Sequence, residues 1–257
     1  REEFGSLTGY SQAGGVDVIA NVSYRDSDTI RLGDGSKLRN SDDQIASGLF
    51  KVGGAVHEDH YLEAAYQGFF GDVEEPNNGQ GLGGPDAVDK DISGQTFRLA
   101  YNYDNPDDRL FGVDAVAYYA LTKADEQRLD NLGASPAGEV LTRDVQTFGF
   151  RLDNRSTVEL APTAQTRFTY GVEYYRDEQD GEAGGAARDG VPNAEADSFG
   201  AFLQAEVMLD DLVPVPGELS ITPGGRFDYY RIESEIVAGD ENKSSEFSPR
   251  IAAVYKP

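Results

Sequence analysis

Runs of alternating apolar and polar residues make up most of this chain, and the connections between them are alternately short and long. The short links fall near residues 55–59, 104–108, 154–163 and 210–216, the long ones near 25–42, 71–91, 123–142, 177–196 and 234–245. In an antiparallel meander, links of one kind then gather at one end of the sheet and links of the other kind at the opposite end. A soluble sandwich has no physical reason to sort its loops by length. A membrane-crossing barrel does, because outer-membrane barrels have short turns on one side and long loops on the other.

The runs pass the two-residue periodicity test of a half-covered strand. Val16, Val18, Ala20, Val22 and Tyr24 share one face opposite Asp17, Asn21 and Ser23. Phe97, Leu99, Tyr101 and Tyr103 oppose Arg98 and Asn102, and Phe148, Phe150 and Leu152 oppose Arg151. The same pattern covers residues 111–121, 167–175, 199–209 and 219–229. With 5–12, 46–54, 61–70 and 247–255 added, the expectation is about eleven strands. Many reach the ~9–11 residues that a tilted strand needs to cross hydrocarbon. Tyr24, Tyr103, Tyr119, Tyr174, Tyr229 and Tyr255 are expected near strand ends, where aromatic girdles sit. Pro223 and Pro249 should force bulges or strand starts, because proline cannot donate to the ladder.

The second face carries charge of both signs: Glu63, Arg98, Asp114, Arg151, Arg167, Glu173, Glu206, Arg226, Asp228 and Arg250. Single charges in mid-strand are costly in lipid, so this face is expected to look into a lumen. Spacing alone leaves open whether that lumen holds water or a plug.

The 257 residues carry a formal charge of −24, from 46 acidic and 22 basic side chains. That balance excludes nucleic acid as a partner, since binding phosphates takes clustered Lys and Arg. The absence of cysteine removes disulfides and thiolate metal sites. The longest apolar run, residues 115–121, is far short of a membrane helix. No signal segment opens the chain, and both termini fall inside expected strands, as in a piece of something larger.

Several tempting motifs fail on context. Gly79-Gln80-Gly81-Leu82-Gly83-Gly84 satisfies GxGxxG but lies between Asn77-Asn78 and Pro85-Asp86, a loop rather than a strand–helix junction. Gly9-Tyr10-Ser11-Gln12-Ala13 is one residue short of a nucleophile elbow, with a turn and a strand after it. His57 and His60, the only histidines, lie beside Glu58 and Asp59 and are read as solvated turn residues, not a metal site or half of a triad. The 71–91 link holds Asp72, Glu74, Glu75, Asp86, Asp89 and Asp91 against Lys90 alone, without the spacing of a calcium loop. Neither a catalytic residue nor a cofactor site is expected.

Specific strings carry a family resemblance. Ser23-Tyr24-Arg25-Asp26-Ser27-Asp28, Gly33-Asp34-Gly35-Ser36, Asn40-Ser41 and Ser47-Gly48-Leu49-Phe50-Lys51 resemble the early barrel of TonB-dependent outer-membrane receptors, above all the haem/haemoglobin group. So does the run from Phe168 to Asp177. Thr222-Pro223-Gly224-Gly225-Arg226-Phe227-Asp228 and Phe247-Ser248-Pro249-Arg250-Ile251-Ala252-Ala253-Val254-Tyr255 look like the "pG-x-R-[FY]-D" and "fsPR-x-x-x-vY" strands of these receptors.

The resemblance implies an all-β, up-and-down antiparallel meander of about 10–11 strands within a 22-stranded transmembrane barrel. Residues 1–257 would be the N-terminal half of that barrel, with the plug domain and the C-terminal strands outside the stretch. It further implies a bacterial outer-membrane location, haem, haemoglobin or an iron–siderophore as transported ligand, and coupling to the TonB complex through the plug. The FRAP…NPNL loop of the haem group would follow Pro257, so no ligand-binding residue is carried over. By this reading Arg98, Arg151, Arg167, Glu173, Glu206, Arg226, Asp228 and Arg250 face the plug and pair with it. Two alternatives remain at this level: a complete small porin-like or translocator barrel, whose first and last strands would pair, and a secreted soluble β-sheet binding protein, whose apolar faces would be buried between two sheets.

Overall fold

Gly14 and Gly15 adopt φ of 60° and 82°. Positive φ at both central residues is what a two-residue hairpin turn needs to match strand twist. The hairpin they close pairs β1 (Glu2–Ala13) with β2 (Val16–Ser27), Ala13 opposite Val16. The computed structural model describes residues 2–76, 87–131, 135–188, 190–210, 217–235 and 241–256. Within them the chain continues as β3 (Asp43–His57), β4 (His60–Glu75), β5 (Val88–Asp104), β6 (Gly112–Arg128), β7 (Val140–Ala161), β8 (Ala164–Ala183), the two-residue β9 (Ala186–Ala187), β10 (Ala194–Asp210), β11 (Glu218–Ser234) and β12 (Glu241–Lys256).

All belong to one antiparallel sheet in which each long strand pairs with the next, β9 lying off the path on β8. The eleven long strands fall on the eleven expected centres. Each runs further than alternation indicated, from 12 residues in β1 to 22 in β7. The expected short link at 154–163 is the clearest correction, since β7 continues to Ala161 and only residues 162–163 turn. Residues 105–111 cross back over that extension: Gly112 N–H donates to Asn154 Oδ1 at 3.2 Å, and Ser156 Oγ donates to the Leu110 carbonyl at 2.7 Å.

Link lengths sort as expected along most of the sheet. Residues 14–15, 58–59, 105–111, 162–163 and 211–217 connect strands at one end; 28–42, 76–87, 129–139, 184–193 and 235–240 connect them at the other. The last link of the long series contracts because β12 begins at Glu241. The prolines are also accommodated differently from the expectation, with no register shift at either. Pro249 faces Gly225 from β12, an edge strand of the sheet, the kind of strand in which proline is tolerated. Across Pro223 the β10–β11 ladder simply lapses, running from Gln204↔Gly224 to Val207↔Ile221.

The sheet is open. β1 and β12 form its two edges, and their residues are exposed throughout. A closed small barrel would need these strands to pair, and a soluble sandwich would need a second sheet over the apolar face. Neither is present among the described residues. Leu99, Phe97, Leu203 and Phe247 stand 64%, 50%, 54% and 65% exposed on one face. An uncovered apolar band of that extent calls for lipid or a partner surface. The buried hydrophobic side chains among the described residues, Ala87, Val88, Leu141 and Val191, lie instead at the long-link end.

Candidate functional site

Directly opposed residues in an antiparallel pair share a face, and faces alternate along each strand. One row runs Arg151 (β7), Glu173 (β8), Gly200 (β10), Asp228 (β11). Arg167 opposes Glu206, and Arg250 opposes Gly224, which in turn opposes Gln204. Arg98 joins the same face through Tyr118, Gly149 and Tyr175, the last two residues from Glu173. Arg226 lies two residues from Asp228. All eight candidate residues therefore occupy one face, opposite the Phe and Tyr side.

Each of the eight has a partner inside the sheet. Arg98 Nη1 lies 2.5 Å from Glu63, whose other oxygen is 2.8 Å from Lys51 Nζ. Arg151 reaches Asp153 at 2.6 Å, Arg167 reaches Glu206 at 3.3 Å, and Arg250 donates to Gln204 Oε1 at 2.6 Å. Arg226 pairs with both Glu173 and Asp228, the latter at 2.7 Å. Arg155 and Asn102 converge on Asp114 at 2.6 and 2.8 Å. Most of these groups are half-exposed, so each pair is worth about 1 kcal/mol or less. Their combined effect is to tie neighbouring strands together across this face while leaving the guanidiniums partly exposed. Sequence alternation found the charged residues; it missed Lys51 and Asp153 as partners, because pairing depends on register.

Other sequence candidates fall elsewhere. His60 is a strand residue, not a solvated turn residue: its Nδ1 lies 2.7 Å from the Tyr101 hydroxyl and its ring packs 4.8 Å from that of Tyr103. No group of three or more metal-ligating side chains occurs among the described residues. Asp72 opposes Asp91 and Glu74 opposes Asp89 on the apolar face beyond its aromatic band, while Asp86 and the Gly79–Gly84 string lie outside the described residues. Gly9–Ala13 is the end of β1. In the 105–111 link, the Asp108 carboxylate accepts from Leu110 N–H at 2.9 Å, Phe111 N–H at 3.1 Å and the Tyr103 hydroxyl at 3.0 Å. The Leu110 amide leads in holding Asp108 below the usual carboxylate range.

Comparison with known proteins agrees with this geometry. The family model described as "TonB dependent receptor-like, beta-barrel" matches residues 17–257. A hemin receptor of Yersinia enterocolitica is 29% identical over 224 residues, covering 86% of this chain and 30% of that protein. A hemin receptor of Yersinia pestis is 28% identical over 225 residues, covering 86% and 31%. The chain thus spans under a third of the curated relatives it matches. Among solved structures, the FrpB iron transporter of Neisseria meningitidis superposes with a TM-score of 0.74 at 18% identity, over 97% of this chain and 42% of that one. The Serratia marcescens hemophore receptor HasR, in complex with its hemophore HasA and heme, gives 0.68 at 17% identity, over 98% and 39%. At such identities the structures establish the fold.

Proposed function

Since this chain belongs to the TonB-dependent receptor-like β-barrel family, we propose that it is part of the barrel wall of a bacterial outer-membrane receptor that imports haem. The observation that carries the ligand is the alignment with the two hemin receptors, at 29% and 28% identity over 86% of the chain. In this reading the eleven long strands supply about half of a 22-stranded wall. The Phe and Tyr face meets lipid. The face bearing Arg98, Arg151, Arg167, Glu173, Glu206, Arg226, Asp228 and Arg250 lines the lumen against a plug, and the long links meet the external medium. The register, the uncovered apolar face and the sorted links support this orientation.

The mechanism is transport without a covalent step. External loops collect the ligand, and the plug completes its site. Energy delivered through the TonB complex then moves the plug within a wall that the ion pairs keep rigid. Because most of these charges already have a partner in the sheet, the plug can slide past them without breaking contacts of its own to each one.

A haem titration of the intact purified receptor tests the proposal. A saturable shift of the haem Soret band, together with receptor-dependent growth on haem as sole iron source, is the expected result. Growth on a ferric siderophore with no spectral change on adding haem would replace haem by a siderophore as ligand.

A further inference from the structure

The described residues of the link after β8, 184–188 and 190–193, do not stand away from the rim. After Ala183 the chain turns back through Gly184 and Gly185, at φ of 58° and 84°, and β9 pairs with the end of β8. It then folds over the charged face. Arg188 crosses β7 to β6, where its Nη2 sits 2.9 Å from Glu126 Oε2; Arg188 and Glu126 are 6% and 5% exposed. Glu126 also faces Lys90 Nζ of β5 at 3.6 Å. Val191, like Val88 and Leu141, is buried at this end of the sheet. Val191 lies directly on Gly181: a Cβ there would come within 2.8 Å of Val191 Cγ1. Gln179 Nε2 donates to the Pro192 carbonyl at 2.9 Å, and Gly181 N–H donates to Asn193 Oδ1 at 3.0 Å.

Register puts Val88, Lys90, Glu126, Leu141 and Gly181 on the face that carries Arg98 and Arg151. We propose that this link is a strap docked on the inner wall at the long-link rim, narrowing the entrance and latched by the Arg188–Glu126 ion pair. The proposal rests on the lumen reading of the charged face. A buried ion pair is a poor choice for stability alone, since an apolar pair of similar volume often does as well. Its particular property is its reach: it joins the link to β6 across β7, so parting the pair removes the shortest charge contact that either side chain makes among the described residues. The strap opens as a unit when the pair parts, and the Val88–Leu141 floor beneath it becomes accessible.

The test uses the intact receptor on whole cells, freed of any cysteine outside this chain, with Leu141→Cys or Val191→Cys as reporter and a bulky, membrane-impermeant maleimide as probe. Labelling should be slow with the latch intact and about a hundredfold faster in Arg188→Ala or Glu126→Ala, as removal of one member of a buried pair predicts. Arg188→Lys should fall between, which separates latch loss from gross misfolding; heat-modifiable mobility checks that each variant is a folded barrel. Fast labelling in the parent, or slow labelling in folded Arg188→Ala, overturns the latch. Reporters at Gln204 and Leu203 test the lumen reading separately. If Leu203→Cys reacts from water and Gln204→Cys does not, the face assignment fails whatever the strap does.

Discussion

Arg226 on β11 reaches over β10 at Gly200 to pair with Glu173 on β8. The crossing is possible because Gly200 has no side chain. A Cβ there would lie 3.1 Å from both Arg226 Cζ and Glu173 Cγ, so the two side chains would have to shift to admit it. One glycine thus makes room for a three-strand ionic contact within the sheet.

Gly200→Val should therefore displace the guanidinium and cost about 1 kcal/mol or less, the worth of a half-exposed ion pair. Denaturant unfolding of the intact receptor in lipid vesicles measures it. In an Arg226→Ala background the same substitution should cost clearly less, because its obstacle is gone. Equal costs in both backgrounds would mean that Gly200 is conserving backbone freedom rather than a passage for Arg226.

The two faces of β10 give a second prediction. Leu203 lies on the apolar face and Gln204 on the charged one, next to each other in sequence. Leu203→Arg should cost about 2–4 kcal/mol near the bilayer midplane, whereas Gln204→Glu, which keeps an acceptor for Arg250, should be close to neutral. Folding yield into vesicles and unfolding free energy both report it. Comparable costs at the two positions would remove the lipid assignment of the Phe and Tyr face.

Alternation located strand centres because one face there is apolar at every second position. Strand ends escaped it: towards them both faces turn polar, so the pattern that reveals a strand disappears while the ladder continues. β7 shows this best. Phe148, Phe150 and Leu152 marked its centre, but Asn154 and Ser156 continue the apolar face with polar groups and read as a link. The charged face was legible from the same alternation. Its pairing was not, because Lys51 with Glu63 and Arg226 with Glu173 depend on register between strands. The Arg188–Glu126 contact, 62 residues apart, depends on how a link folds, and no local pattern encodes that.

Asn154 explains why the β7 extension holds. Its Nδ2 lies 3.0 Å from the Leu110 carbonyl and 2.7 Å from the Tyr170 hydroxyl, and its Oδ1 accepts from Gly112 N–H. The side chain is buried. Asn154→Leu removes these contacts and leaves the Gly112 N–H without its Asn154 acceptor, while the Leu110 carbonyl keeps Ser156 Oγ, at about 1–3 kcal/mol. Protease cleavage in that link, added from the short-turn side of sealed vesicles, should accelerate accordingly. Unchanged cleavage would show that Ser156 alone secures the crossing.

Asp108 makes the same link pH-sensitive. Its carboxylate is held below the ordinary 3.8 of an aspartate, chiefly by the Leu110 N–H and further by the Phe111 N–H and the Tyr103 hydroxyl. A depressed carboxyl contributes its full stabilisation above the unfolded value and loses it as pH falls through the lower folded value. The turn should stay ordered at neutral and mildly acidic pH and loosen only in stronger acid. In nanodisc-embedded receptor, the Leu110 and Phe111 amide proton shifts should titrate together with a midpoint under 3.8. Asp108→Asn keeps an acceptor for the amides but has nothing to titrate, so both shifts should become flat over the same range. A midpoint above 3.8 in the parent would mean that solvent has replaced these hydrogen bonds and that the link is tethered through Asn154 and Ser156 alone.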